Sequence, residues 1–409
     1  MSLANIVDCH IQPDFAECIQ DVQSGALAEE TFYINVEPSA YKVDEHRVKV
    51  TNQASCVKYD AGEANLFEQT DSFSFRARLD GQIYKFKKPI RDFSLQPETT
   101  LTPNITSVGS YESFESPKYA LGEASGKITI FNDRKAQDLT LEGHDSDVTT
   151  VRFFPSGQVL LSGSADMRLK IWSTLDGSNP RTLTGHTGPV TASAIIDRGR
   201  NVLSSSRDGT VKLWECGSGD AIHTFTRRSN PKDAINTMIL VQVEPELNTQ
   251  TNKSEYGTAG KTFLAGHDSG TISYHNIYSK DSMLEIPNQF LAPCRTIATN
   301  DPQQNSFTIY AGYENGILAQ WDVRNPSKAV TFNSWNKGSA ITAMHYQTGR
   351  LFASYEADSA IYFDVDSNSK SFSSPTYLVS KDFRIAAFAC SGEQDGTIAA
   401  GEEGLCALY

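Results

Sequence analysis

Asp166-Met-Arg-Leu-Lys-Ile-Trp172 and Asp208-Gly-Thr-Val-Lys-Leu-Trp214 are the two stretches that decide how this chain folds. They lie 42 positions apart, and so do the dipeptides Gly143-His144 and Gly185-His186. Within the first unit, Val148-Thr-Thr-Val-Arg-Phe-Phe154 reads as a strand, Pro155-Ser-Gly157 as a turn and Val159-Leu-Leu-Ser162 as a second strand. The turn Asp ends that strand, Leu169-Lys-Ile-Trp172 begins the return, and an outermost strand follows Asp176-Gly-Ser-Asn-Pro180. Such a four-stranded unit cannot bury its Val, Ile and Leu side chains alone, so it needs a neighbour on each face.

A Gly-His, a turn Asp and a strand-ending Trp, repeating every ~40–45 residues, form the signature of a WD-repeat propeller blade. Weaker copies follow the same template: Ser125-Gly126 to Phe131, Ser269-Gly270 to His275, Asn315-Gly316 to Trp321, Asp358 to Asp364, and Glu403-Gly404 to Tyr409. The turn positions 125, 166, 208, 269, 315, 358 and 403 predict an all-β, seven-bladed ring over 76–409. The one long interval holds a polar stretch, 244–258, that reads as a loop insertion within a blade. The last register runs out at Tyr409 after its third strand, so its fourth is expected from upstream, with Gln82-Ile-Tyr-Lys-Phe86 as the candidate. Asp80-Gly81 to Phe86 also fits the template, which leaves an eighth blade open. Residues 1–75 do not fit it. Phe15, Cys18, Ile19 and Val22 at helical spacing, with the strands Phe32-Tyr-Ile-Asn-Val36 and Arg47-Val-Lys-Val50, predict a small α+β domain packed against the ring.

Composition narrows the function. A net charge of −13 argues against nucleic acid, whose phosphates require clustered Lys and Arg, and favours a basic protein partner. The seven cysteines include no Cys-x-x-Cys pair, a usage that suits a reducing compartment and lacks the common zinc spacings. No signal-peptide pattern opens the chain, and no apolar run reaches membrane-spanning length. A cytoplasmic location, extending to the nucleus, is therefore expected, with no membrane partner and a monomeric state in isolation.

Two registers offer a Ser, a His and an Asp: Ser162, His144, Asp166 and Ser204, His186, Asp208. These residue types serve nucleophilic hydrolysis. Their recurrence at the repeat period instead predicts a buried hydrogen-bond network that ends on the indole N–H of Trp172 and Trp214 and ties the strands to their turns. No phosphate loop, His-Glu-x-x-His or Gly-x-Ser-x-Gly occurs. Glu142, Asp145 and Asp147 around His144 read as a solvated turn rather than a metal site. No catalytic residue, metal or cofactor is expected.

Binding is expected at loops on one face of the ring. The residue before each turn should point there: Ala124, Ala165, Arg207, Asp268, Glu314, Ala357 and Glu402. Three of the four charged members are acidic, and Asp145, Asp147, Asp233 and Asp382 lie in nearby inter-blade loops. Together they predict an acidic patch facing a basic protein.

Several strings are more specific than the repeat. They are Phe32-Tyr-Ile-Asn-Val36, Phe153-Phe-Pro-Ser-Gly157, Asp176-Gly-Ser-Asn-Pro-Arg-Thr-Leu183, Ile195-Ile-Asp-Arg-Gly-Arg-Asn-Val-Leu203, Leu213-Trp-Glu-Cys-Gly217, Ala311-Gly-Tyr-Glu-Asn-Gly-Ile-Leu-Ala-Gln-Trp-Asp322 and Cys406-Ala-Leu-Tyr409. In these the chain resembles, from its N-terminal region to its last residue, the fungal member of the proteasomal ATPase-associated factor family. The resemblance implies a non-enzymatic assembly chaperone of the proteasome regulatory particle. It would bind the C-terminal domain of one ATPase subunit of the base and delay docking on the proteolytic core. Glu314 lies inside a matching string, whereas Lys381-Asp-Phe-Arg384 does not look family-like. A second reading rests on Trp321-Asp-Val-Arg324, which fits the Trp-Asp-x-Arg pattern of substrate receptors for cullin-type ubiquitin ligases.

Overall fold

A computed structural model describes residues 4–39, 41–53, 56–93, 102–112, 117–132, 137–242, 254–300, 307–335, 338–356, 360–365, 371–380, 383–391 and 396–409. Seven antiparallel sheets form the blades of a β-propeller, each ordered outward from an innermost first strand. Blades 1 to 3 span 105–141, 148–184 and 190–226, and blades 4 to 6 span 235–286, 294–335 and 341–378. Blade 7 contributes Ile385–Cys390, Thr397–Gly401 and Cys406–Leu408. Successive first strands pack side by side, and that of blade 7 packs against that of blade 1, so the ring closes at seven.

The burial pattern follows from this stacking. Second strands are enclosed by blades on both faces, and Asn201–Ser206 and Lys261–His267 are buried at every residue. Their sequences carry serines and small residues because those positions pack closely against the adjacent blade. At Gly163, for example, an added Cβ would come within 2.7 Å of Val190 Cγ1 in the next blade. The polar insertion predicted within a blade connects the first two strands of blade 4. Its 243–253 stretch lies outside the described residues. Its end folds back on blade 3, where Asn201 donates to the Ser254 carbonyl at 3.0 Å and Arg200 lies 4.2 Å from the Tyr256 ring centroid.

All seven blades share an irregularity the sequence did not reveal. The pairing of first and second strands shifts register after the first residue, at Ile105/Ser107, Val148/Thr150, Val190/Ala192, Ile235/Thr237, Cys294/Thr296, Ile341/Ala343 and Ile385/Ala387. The skipped residue of such a bulge is re-aimed away from the ladder. Thr106 and Thr149 use this freedom to donate to the carbonyls of Val148 and Val190 in the next blade, each at 2.8 Å. Asn236 does the same to Cys294 at 3.1 Å.

Ring closure differs from the expectation. The fourth strand of blade 7 is Arg91–Asp92, with Leu408 opposite Arg91 and Ala407 opposite Asp92. Flanking bonds run from Ile90 N to Leu408 O and from Phe93 N to Cys406 O, both 2.7 Å. Gln82–Lys87 pairs instead with Ser74–Leu79 and, in parallel, with Thr376–Leu378 at the outer edge of blade 6. The reason is local. Asp80 and Gly81 both have positive φ (49° and 80°), the two-residue turn of a tight hairpin, so the Asp-Gly that mimics a blade turn locks 82–87 to the preceding strand. A two-residue closing strand is too short for any periodicity to disclose.

The N-terminal sheet joins Asp8–Ile11, Glu29–Ser39, Lys42–Gln53 and Cys56–Asp60, and the helix Phe15–Ser24 buries Phe15, Cys18, Ile19 and Val22 against it. This unit grips the ring through two blade edges. Ala4–Ile6 adds in parallel to the fourth strand of blade 5, and Leu66–Gln69, Ser74–Leu79 and Gln82–Lys87 extend blade 6 to seven strands. Phe93, next to the closing strand, is buried against Tyr119 and Phe131 of blade 1, with ring centroids 5.8 and 6.0 Å away. Phe93→Ala should therefore lower stability by about 3–5 kcal/mol in a denaturant titration, as for a large core truncation.

Candidate functional site

The Ser, His and Asp sets form matching chains in blades 2 and 3. Trp172 Nε1 donates to Ser162 Oγ at 2.7 Å, Ser162 Oγ lies 2.7 Å from His144 Nε2, and His144 Nδ1 lies 2.7 Å from Asp166 Oδ2. The corresponding distances from Trp214 through Ser204 and His186 to Asp208 are 2.8, 2.8 and 2.9 Å. Because an indole N–H can only donate, each serine oxygen accepts from its Trp, and the histidine ring links that serine to the turn carboxylate. Ser162 and Ser204 are fully buried beneath these partners, so neither oxygen can meet a substrate. Gly143 and Gly185 have φ near +148°, and a Cβ at Gly143 would lie 3.2 Å from Trp172 Cη2, which explains why glycine precedes each histidine.

Elsewhere the chain is rerouted or lost. In blade 5, Trp321 occupies the Trp172 position but Ala311 replaces the serine. Blade 4 has His275 at that position, and its turn is held by His267, whose Nε2 lies 2.8 Å from Ser273 Oγ. There Asp233 is buried, accepts from the Ser269 backbone N–H at 3.1 Å and pairs with Arg227. It is thus removed from the acidic patch predicted for it.

One backbone bond fixes the rim. The N–H following each second strand donates to a carbonyl at the start of the first: Ala124 to Asn104, Ala165 to Asp147, Arg207 to Pro189, Asp268 to Ala234, Glu314 to Pro293, Glu356 to Ala340 and Glu402 to Arg384, at 2.8–3.0 Å. In blade 6 the equivalent residue is Glu356, one position before the predicted Ala357. Ser354 pairs with Ala360, the same six-residue offset as Gly312 with Leu318, so the turn there is shifted from the sequence template. Ala357 and Asp382 lie outside the described residues. Four consecutive blades, 4 to 7, therefore place Asp268, Glu314, Glu356 and Glu402 at equivalent positions on one face.

Arginines interleave with three of them. Arg207 lies 3.4 Å from Asp268, Arg295 3.1 Å from Glu314 and Arg384 3.9 Å from Glu402, all partly exposed. Exposed pairs of this kind contribute about 0–1 kcal/mol, so an incoming cation can replace the arginine at little cost. Glu356 is exposed and has no ion pair among the described residues. Asp145 is exposed and 3.0 Å from Arg168, and Asp147 is exposed beside it. The motif residue Arg324 folds back on Asp322 (2.9 and 2.7 Å) and lies 4.7 Å from the Phe307 ring centroid. Among the described residues one group could offer metal ligands, Asp8, His10 and Glu37, whose ligand atoms lie within 4.8 Å of one another. In the structure His10 pairs with Asp8 at 2.9 Å.

A family model for the WD domain, G-beta repeat, matches residues 136–173 and 177–215, the two segments that contain the complete Trp-Ser-His-Asp chains. The chain is also 39% identical over 422 residues to the 26S proteasome regulatory subunit RPN14 of Saccharomyces cerevisiae, covering 99% of this chain and 98% of the yeast protein. It belongs to the family of that yeast protein. A shorter match, 43% identical over 68 residues, is to the WD repeat-containing protein RUP2 of Arabidopsis thaliana, covering 16% of this chain and 18% of that one.

Burial pushes His275 down to about 4, and the adjacent His267 adds to the shift. A depressed histidine binds its proton in the unfolded chain first, so its contribution is complete above pH ~6.5 and is lost as pH falls towards 4. His275→Phe, which imitates Phe131 at the same position in blade 1, should reduce the loss of unfolding free energy across that window by up to about 3 kcal/mol, as read from denaturant titrations at its two ends. Ser162→Ala, which leaves Trp172 Nε1 and His144 Nε2 without their partner, should cost about 2–4 kcal/mol in chemical unfolding.

Proposed function

We propose that this protein is a non-enzymatic assembly chaperone of the proteasome regulatory-particle base, holding the C-terminal domain of a proteasomal ATPase subunit on its acidic rim in the cytoplasm and nucleus. The observation that carries this reading is the arc of Asp268, Glu314, Glu356 and Glu402 on blades 4 to 7. Four carboxylates held at equivalent positions on a rigid ring suit a basic protein surface, and the full-length similarity to a proteasome regulatory subunit supplies the partner class. Asp145, Asp147 and Arg207 flank the arc and would tune orientation rather than carry affinity. A face occupied in this way would keep an incomplete ATPase ring from docking on the proteolytic core. The ligase-receptor reading draws less support, because Arg324 is already engaged by Asp322 and Phe307.

Lysine at positions 268, 314, 356 and 402 together should weaken capture of the ATPase C-terminal domain by more than about tenfold, the loss being larger at low salt. The melting temperature should stay close to that of the unaltered protein, since only exposed pairs are disturbed. Undiminished capture by a folded quadruple variant would remove the acidic rim from the interface. Recovery of a cullin-ligase adaptor in place of ATPase subunits would favour the second reading.

A further inference from the structure

The seven first strands enclose a central cavity of about 550 Å³. Its lining is mainly Thr, Ser and small apolar side chains, and among the described residues no Asp or Glu contributes to it. The charged members are two arginines, in a chain whose net charge is −13. Arg295 sits at the rim end and is engaged by Glu314. Arg152 stands three residues beyond the bulge of blade 2, about 10 Å further along the strand. It makes no hydrogen bond or ion pair among the described residues, although its guanidinium carries five donors. Its side chain is exposed to the water of the channel.

An arginine that faces channel water with no counter-charge among the described residues leaves its fork of donors open to a dissolved anion. A narrow channel with low-dielectric walls also concentrates the field of a single charge. The surrounding groups extend the site. His345 is pressed down to about 4 by burial and by Arg152, and so presents a neutral ring. Its Nε2 lies 3.3 Å from Cys390 Sγ. Thr150 and Ser193, 2.9 Å apart, add hydroxyls to the same lining. Hydroxyls on the same lining as a guanidinium with no ion pair among the described residues suit an oxyanion, which accepts two parallel N–H bonds from an arginine fork, although the Glu112 carboxylate bears on Cys390.

We propose that the central channel is a binding site for a small oxyanion, a phosphate or a carboxylate, with Arg152 as its principal ligand. The site is independent of the acidic rim and stands whether or not the chaperone reading does. The test is calorimetric titration of the full-length protein at fixed ionic strength, with inorganic phosphate in one arm and citrate in the other. Saturable binding is expected in at least one arm, and which arm responds identifies the anion class. Arg152→Gln should weaken it about ten- to a hundredfold, the loss expected for a charge-assisted pair. Arg152→Lys, which keeps the charge but not the planar fork, should fall between the two and covers the case in which the glutamine variant does not fold. Absence of saturable binding in both arms, or binding by a folded Arg152→Gln protein as tight as wild type, overturns the proposal.

Discussion

Closure of the ring is the constraint on which everything else depends. Each blade buries its second strand only because another blade lies on either side, so an open arc of seven would leave two apolar faces and two sheet edges in water. Here the closure is made by a two-residue strand, Arg91–Asp92, on the last sheet. So small a ladder holds because it is reinforced by side chains. Phe93 packs into blade 1, and Tyr409 pairs its backbone with Thr397 while its hydroxyl donates to Val379 of the neighbouring region at 2.6 Å. The N-terminal unit contributes differently, by adding strands to the outer edges of blades 5 and 6.

Two kinds of polar device work within that ring. The Trp-Ser-His-Asp chains of blades 2 and 3 fix turns within a sheet, whereas the bulge residues Thr106, Thr149 and Asn236 bond one blade to the next. Blades 4 and 5 lack the full chain, and their larger aromatic contacts compensate: His275 stacks on Phe263 at 4.9 Å, and Phe290 packs edge-on to Tyr313 and Trp321. The same backbone frame thus tolerates degraded repeats because burial, which has no directional requirement, replaces hydrogen bonds, which do.

Charge is sorted along the ring axis. Carboxylates collect on the rim of blades 4 to 7, while the channel among the described residues carries arginines and no acid. The arginine at the blade 5 bulge, Arg295, belongs to both environments, lining the mouth and pairing with Glu314. A bulge that elsewhere supplies a blade-to-blade hydrogen bond is there given over to electrostatics.

The repeat period, the strand-turn-strand pattern within it and the Gly-His…Ser…Asp…Trp sets determined the propeller, because each blade is a local unit whose side chains recur at fixed offsets. Asp268, Glu314 and Glu402 were legible as rim residues for the same reason. Glu356 was not, since the shifted blade 6 turn carries no Gly to mark its register, and only strand pairing places Ser354 opposite Ala360. Asp233 showed the opposite failure, an acid in a loop that tertiary contacts with Arg227 and Ser269 draw inward. The closing strand, the capture of 82–87 by blade 6 and the convergence of Arg152 with His345 and Cys390 are contacts between residues far apart in the chain. No periodicity encodes such contacts, so the packing of the ring alone decided them.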